Sequence, residues 1–272
     1  MKEDWLEIAK NLPCGGKTKE VCCGNSPSCL VSHSEKGYSA HCFRCPVDDN
    51  HRFQSHGQRS IAEIQRHKQE IQENKNKPPH LPKDYTLDIP LEYAYFLKYG
   101  ITLEVARRYK IGYSSFFHRI VIPIYNPHKD NKLEAVHLRS IDPNDKPKYI
   151  NLGTPDKDLI FYSSMPIGYI RGYIIVEDVM SAIKLSMAGF NSVALNGSNI
   201  TDVQAYRLAN NGESRIFVWL DGDEAGKKGA KQVIKQMRLQ GISDIRHIET
   251  ESDPKHYRKD FIRDLIGDAD IA

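Results

Sequence analysis

The stretch RIFVWLDGDEAGKKGA, residues 215–230, runs an apolar segment into Asp221-Gly222-Asp223 and turns at once into a segment rich in Gly, Ala and Lys. Residues two apart on an extended chain face the same side, so the two carboxylates point together. They repel unless a cation or a proton lies between them. Glu177 closes another apolar run, GYIIVED (172–178), and Asp253 lies just beyond a further one, DIRHIETES. Carboxylates gathered from several strand ends make an all-oxygen site suited to Mg²⁺ or Mn²⁺. Such ions orient phosphates and offset the charge that develops in phosphoryl transfer. The plainer alternative is a charged turn with an Asp capping the helix behind it.

A different chemistry gathers near the N-terminus. All six cysteines fall within residues 14–45: Cys14, the adjacent Cys22 and Cys23, Cys29, and the pair Cys42-x₂-Cys45. The Cys-x₂-Cys spacing supplies half of a tetrahedral zinc site, and in a cytosolic chain such crowding reads as metal binding rather than a disulfide framework. Strand-like runs CLVSH and GYSAHC lie between the halves, as in a zinc ribbon, a module too small to fold without a staple. Tyr38, His41, Phe43 and Arg44 give it aromatic and cationic groups of the kind that stack on bases and pair with phosphates of single-stranded DNA. Tyr38 and Phe43 serve equally well as packing for a minimal core.

The elements that must position these groups follow from periodicity. From residue 171 strands alternate with helices: GYIIVED, helix 179–189 stopped by Gly189, SVALNG, helix 203–212, RIFVWLD, helix 224–241, DIRHIE and a terminal helix in HYRKDFIRDLIG. This alternation implies βαβ units around a mainly parallel sheet. Ligands of such sheets sit beyond the carboxyl ends of the strands, so Glu177, Asp221, Asp223 and Asp253 are expected at one edge. Upstream, PLEYAYFLKYG and ITLEVARRY read as helices, the second with Thr102 as N-cap, followed by strands RIVIPIYN (119–126), LEAVHLRSI (133–141) and KYINLG (148–153). A polar helix, 61–72, and the proline-rich stretch ENKNKPPHLPKD (73–84) precede them, the latter expected to be a tether. The fold class is α/β, α+β overall, divided into a zinc ribbon (1–55), helix and linker (56–84), a mixed region (85–166) and a parallel α/β domain with its terminal helix (167–272).

The 38 basic and 35 acidic residues leave a net charge of +3, so local clusters say more about partners than the total does. No apolar run approaches the length of a membrane span, and the N-terminus lacks the apolar core of a secretory signal. A cytoplasmic protein without a membrane partner is expected.

Glu177 at a strand end, followed by LDGDEAG, resembles the Toprim domain of primases, topoisomerases and some nucleases. HRIVIPIYN, LEAVHLRSI and KPKYINLGTP resemble the first part of the polymerase core of bacterial and phage primases. IETESDPKHYRKD is similar to the late acidic motif of that core, and KGYSAHCFRC to the second half of the template-reading zinc domain. Over nearly the whole chain the pattern looks most like the primase portion of phage helicase-primases. The resemblance implies a DNA primase that makes short RNA primers from ribonucleoside triphosphates on single-stranded DNA. It implies Glu177 as metal ligand or general base, Asp221 and Asp223 as ligands of a pair of catalytic Mg²⁺ or Mn²⁺ ions, and Asp253 in support. One departure is visible: the family often has Gly after its glutamate and Asp four residues on, whereas this chain has Asp178 and Ser181.

Arg119, Arg139 and Lys148, in the primase-like segment, are expected to hold triphosphate or template phosphates, with Lys227 and Lys228 on the nucleic-acid backbone. One structural zinc is expected on Cys23, Cys42, Cys45 and a fourth cysteine, either Cys22 or, in its place, Cys14 or Cys29. No GxxxxGK[ST] loop occurs, so a separate replicative helicase is the expected partner, in a bacterial host cell if the chain is phage-encoded. Two other functions compete: a metal-dependent Toprim nuclease, and a non-catalytic zinc-ribbon protein that binds or loads single-stranded DNA.

Overall fold

The computed structural model describes residues 5–12, 16–20, 23, 27–34, 37–42, 44, 48–52, 61–142, 145–163, 172–210 and 215–271. The chain divides into two units, Met1–Gln65 and Arg66–Ala272.

The first unit is an antiparallel sheet of four strands in chain order, β1 (Lys17–Glu20), β2 (Cys29–Ser34), β3 (Gly37–Cys42) and β4 (Asp48–Arg52), with a short helix α1 (Trp5–Lys10). The two strands expected between the cysteines are β2 and β3. Their register pairs Ser34 with Gly37 at the hairpin end and Cys29 with Cys42 at the other. Among the described residues, Trp5 and Ala9 of α1 pack with Val31, Ala40, Cys29 and Cys42 in one small core. So small an apolar set does not hold a module together unaided.

The second unit carries two sheets. Helix α2 (Ile61–Asn74) leads into it, and two 3₁₀ turns (Leu91–Tyr93 and Tyr95–Tyr99) and helix α3 (Leu103–Arg108) follow. Thr102 caps α3 as expected, its hydroxyl accepting from the Val105 N–H. PLEYAYFLKYG, however, is not an α-helix. The chain tightens into successive 3₁₀ turns, with Tyr93, Phe96 and Tyr99 buried, and Gly100 ends them at φ 72°. Strands β5 (Gly112–Ser114), β6 (Arg119–Asn126), β7 (Lys132–Arg139) and β8 (Tyr149–Asn151) form an antiparallel sheet in chain order.

The other sheet contains β9 (Phe161–Ser163), β10 (Tyr173–Val176), β11 (Ser192–Ala194), β12 (Arg215–Val218) and β13 (Asp244–His247), in the order β13-β12-β10-β11-β9. All neighbours are parallel except β9, which runs antiparallel to β11. Helices α4 (Val179–Ala188), α5 (Asp202–Ala209), α6 (Glu224–Leu239) and α7 (Lys259–Ile271) connect and flank these strands. Ile174 and Val176 face one core, shared with α4 and α7, while Ile175 faces the other, shared with α5 and α6. Burial on both faces is why these strands read as continuous apolar runs rather than alternating ones. Each Ile or Val buried there stabilises by roughly 1.5–3 kcal/mol.

Two expected boundaries shift. β9 precedes residue 167 yet belongs to the parallel sheet, so a division at 166/167 cuts that sheet. The stretch 73–84 is no free tether, because it is bound to the second unit. The Lys77 carbonyl accepts from the Thr154 N–H at 3.0 Å, and the Lys75 carbonyl from the Thr154 hydroxyl at 2.5 Å. Leu81 packs on the cluster of Phe117, Val121 and Leu138. Asp84 accepts from the Ser114 and Ser115 hydroxyls and the Phe116 N–H at 2.7–2.9 Å, and these bonds hold its carboxyl below the usual range against the opposing effect of burial. Among the described residues no helix is long and apolar enough to cross a membrane.

Candidate active site

Three segments carry acids to the carboxyl edge of the parallel sheet. Glu177 and Asp178 follow β10, Asp221 and Asp223 follow β12, and Asp253 follows β13. Asp178 caps α4: its Oδ1 accepts from the N–H groups of Met180 and Ser181, and its Oδ2 from the Ser181 hydroxyl at 2.7 Å. Asp223 caps α6 by accepting from the Gly226 N–H at 2.7 Å. The helix-cap alternative is therefore real for Asp178 and Asp223, and it coexists with the acidic cluster. The loop carrying Asp253 is fixed by buried Trp219, whose indole N–H donates to the Thr250 hydroxyl at 2.7 Å while that hydroxyl donates to the Ser252 carbonyl. Gly222 lies under this loop, and a Cβ there would collide with the Thr250 and Glu251 carbonyls. That is the answer to why the turn reads Asp-Gly-Asp.

The tightest grouping is Asp178, Asp221 and Asp253, whose oxygens all lie within 4.8 Å of one another. Asp221 is pushed up to about 7, by burial first and then by the negative charges of Asp253 and Glu177. Glu177 is also raised, by burial and by Asp223, Asp178 and Asp253. Partly buried carboxylates raised in this way are short of positive charge around them. Oxygen donors at this spacing fit a hard divalent ion, which draws its ligands in to about 2.0–2.6 Å. Of the four residues expected from the sequence, Asp221 and Asp253 belong to the tight group, while Glu177 and Asp223 flank it. Asp178 was missed. The signal was present, since Asp-x-x-Ser at the start of an apolar helix marks an N-cap, but a cap and a ligand look alike in sequence.

Lys255 was also missed. Its ammonium donates to Asp178 at 2.8 Å and to Asp253, and its side chain is only 14% exposed. Burial would lower its affinity for the proton, but Asp178 and Asp253 reverse that and hold it charged.

A cleft of about 560 Å³ opens beside the acids, lined by Glu177, Asp178, Asn196, His137, Tyr95 and Tyr149 among others. The Asn196-Gly197 turn closes on Glu177 through a Gly197 N–H to Glu177 carbonyl bond of 3.2 Å. His137 is lowered to about 4 by burial, so it is neutral at pH 7. Arg139 lies over the Tyr95 ring with its guanidinium carbon 3.3 Å from the centroid, and over Tyr149 at 5.7 Å. Lys148 is exposed, and its amine is lowered by burial and by the neighbouring charges of Arg139, Lys255 and Lys98. Arg139 and Lys148 thus form a basic pair close enough to Asp178 to feel its charge.

Arg119 is not part of it. Its guanidinium is 1% exposed, donates to Asp145 at 2.7 Å and to the Leu138 and Lys148 carbonyls, and so ties the strand edge rather than reaching phosphate. Lys227 pairs with Glu249 at 3.0 Å on the surface, and Lys228 is exposed on the same helix.

In the first unit the Cys23 and Cys42 sulfurs are 3.7 Å apart. Four thiolates about 2.3 Å from a tetrahedral zinc lie about 3.8 Å from one another, so this pair has the spacing of two zinc ligands. The distance is well beyond the roughly 2 Å of a disulfide. Cys29 is buried in the small core beside Cys42. Cys14, Cys22, Cys45 and Phe43 lie outside the described residues. Tyr38 is half-buried against the core, whereas His41 and Arg44 are exposed.

A family model described as Toprim-like matches residues 174–258, from β10 through the 3₁₀ turn after Asp253. These residues form a Toprim-like domain. In sequence the chain is similar to the DNA primase of Campylobacter jejuni, at 36% identity over 126 residues, 43% of this chain and 20% of that protein. The chain spans 20 to 30% of the length of the curated relatives it matches, all of them bacterial DNA primases. In fold it is similar to the zinc-binding and RNA polymerase domains of the Aquifex aeolicus primase. The TM-score is 0.58 at 20% identity, over 98% of this chain and 83% of that one. The primase fragment of the bacteriophage T7 primase-helicase protein matches at a TM-score of 0.51 and 13% identity, over 93% of this chain and 99% of that one. The likeness thus extends from the acidic edge to the cysteine module, and it joins bacterial and phage primases alike.

Proposed function

We propose that this chain is a DNA primase, joining ribonucleoside triphosphates into short RNA primers on single-stranded DNA. The observation that carries this reading is the acidic edge of Asp178, Asp221 and Asp253 opening, through Glu177 and Asp178, on a cleft lined also by Tyr95, His137, Tyr149 and Lys157. In the reaction the 3′-hydroxyl of one nucleotide attacks the α-phosphorus of the next, and pyrophosphate leaves with the broken P–O bond. Divalent ions held by Asp221, Asp253 and Asp178, with Glu177 and Asp223 alongside, would supply the charge that stabilises the phosphoryl transition state. Glu177, whose proton affinity is raised, takes the hydroxyl proton on its carboxylate. Arg139, fixed against Tyr95, and Lys148 offset the triphosphate charge that the acids alone would repel.

The cysteine module holds one zinc through Cys23, Cys42, Cys45 and a fourth cysteine, and presents His41 and Arg44 to the template. A helicase acts as a separate partner, and the protein works in the cytoplasm. Full chain, random single-stranded DNA, ribonucleotides and Mg²⁺ or Mn²⁺ test the reading together: labelled ribonucleotide must enter short products. Cleavage of the DNA with no synthesis would replace the primase with a nuclease built on the same acids.

A further inference from the structure

Lys255 occupies a place that a cation would take. Its ammonium bridges Asp178 Oδ2 and Asp253 Oδ2, two of the three residues whose oxygens converge within 4.8 Å. Asp178 has little else to offer an ion. Its Oδ1 is engaged by two backbone N–H groups of α4, and its Oδ2 already accepts from Ser181. The approach that remains open on Oδ2 is the one Lys255 holds. The lysine also reaches from a fixed base. Pro254 is buried, the turn Pro254–His256 is 3₁₀, and the Tyr257 hydroxyl accepts from the Ser252 N–H at 3.1 Å. A side chain anchored at both ends persists in its contacts, unlike a solvated surface lysine.

We propose that Lys255 is an internal cation that pairs Asp178 and Asp253 when no divalent ion is bound, and that a divalent ion must displace. The inference rests on the metal-binding role of the acidic edge given above. Lys255 bridges Asp178 and Asp253, and Asp221 is the third of the converging acids. A divalent ion satisfies all three. Binding is then an exchange of one cation for another, and the apparent affinity is weaker than the carboxylates alone would give. A lysine that served only to pin the turn to the start of α4 would not compete, and its removal would leave metal affinity unchanged or loosen it.

Calorimetric titration of the zinc-loaded full chain with Mn²⁺, beside thermal melting in chelator and in Mn²⁺, separates these roles. Lys255→Met and Lys255→Gln remove the charge while keeping much of the side chain's bulk. Both are expected to bind Mn²⁺ about tenfold more tightly than the parent chain, a difference of about 1.4 kcal/mol. Both are expected to melt lower in chelator and to recover in Mn²⁺, and a variant that folds only with Mn²⁺ gives the same answer. Unchanged or weaker Mn²⁺ affinity in the folded variants overturns the proposal while leaving the metal site standing. Absence of Mn²⁺ binding by parent and variants alike removes the metal site itself, and the proposal with it.

Discussion

Gly226 packs directly on the backbone of Asp221: a Cβ added at Gly226 would overlap the Asp221 carbonyl oxygen and crowd its nitrogen and carbonyl carbon. The first turn of α6 and the acid-bearing turn are therefore one rigid piece, joined further by the Asp223 cap on the Gly226 N–H. The neighbouring atoms are backbone, so they cannot swing aside. Gly226→Ala is expected to destabilise the chain by about 1–3 kcal/mol, the usual cost of forcing bulk into a packed site. It should weaken Mn²⁺ binding as well, because the Asp221 backbone is what must move. Urea unfolding and Mn²⁺ titration read the two effects, and native stability and metal affinity in the Gly226→Ala chain would contradict the close approach.

Metal-free stability should depend on pH in an unusual direction. Asp221 is raised to about 7 in the folded chain against 3.8 for an ordinary aspartate. Between those values the folded chain keeps a proton that the unfolded chain has released, so stability falls as pH rises through the window. Glu177, also raised, adds to the same slope. In chelator the melting temperature should drop from about pH 4 to about pH 7, and Asp221→Asn should flatten that drop. Saturating Mn²⁺ should reverse it, because the ion replaces the proton. Asp221→Asn should also abolish primer synthesis while leaving the fold intact.

Much of this site was legible in the sequence, and the reason lies in the sheet. β10 and β12 are buried on both faces, so their apolar runs mark their ends clearly, and the acids sit at those ends. What was hidden depends on partners far away along the chain. Lys255 meets Asp178 across 77 residues, and no local spacing announces that contact. Arg119 begins a strand and looks free to reach a phosphate, yet Asp145, 26 residues on, holds it inside. The stretch 73–84 has the prolines and charges of a linker. Its attachments, however, are mostly the backbone carbonyls of Lys75 and Lys77 and the single carboxylate of Asp84, to which composition is blind.

The cysteine module should depend on metal. The Cys23 and Cys42 sulfurs are at the spacing of zinc ligands, and among the described residues the buried core around them is Trp5, Ala9, Cys29, Val31 and Ala40. Purified protein is expected to contain about one zinc per chain, and Cys42→Ser to lose it and unfold the module, since the binding energy of such sites is folding energy. Elemental analysis and proteolysis of the first unit check this. A folded, zinc-free Cys42→Ser module would refute it.

Template choice and chemistry should separate, but at a cut different from the one the proline-rich stretch suggests. Residues 75–84 belong structurally to the second unit, and α2 begins at Ile61. A fragment starting at Ile61 keeps the Thr154 bonds to Lys75 and Lys77, the Leu81 packing and the contact of His67 with Phe116 and Phe117. One starting at residue 84 loses them all. At about 1 kcal/mol for each hydrogen bond and a similar amount for half-buried Leu81, the shorter fragment should be weaker by about 2–4 kcal/mol. Urea unfolding of the two fragments measures that difference, and equal stabilities would show that these contacts contribute nothing. Both fragments retain the acids, so the longer one should bind Mn²⁺ and extend preformed dinucleotides weakly. It lacks the zinc module with His41 and Arg44, so it should not choose where to start. Sequencing the products made on random single-stranded DNA decides the point. Starts at one preferred short sequence with the full chain and none with the Ile61 fragment would place template reading in the zinc module, whereas the same preference in both would move it to the second unit.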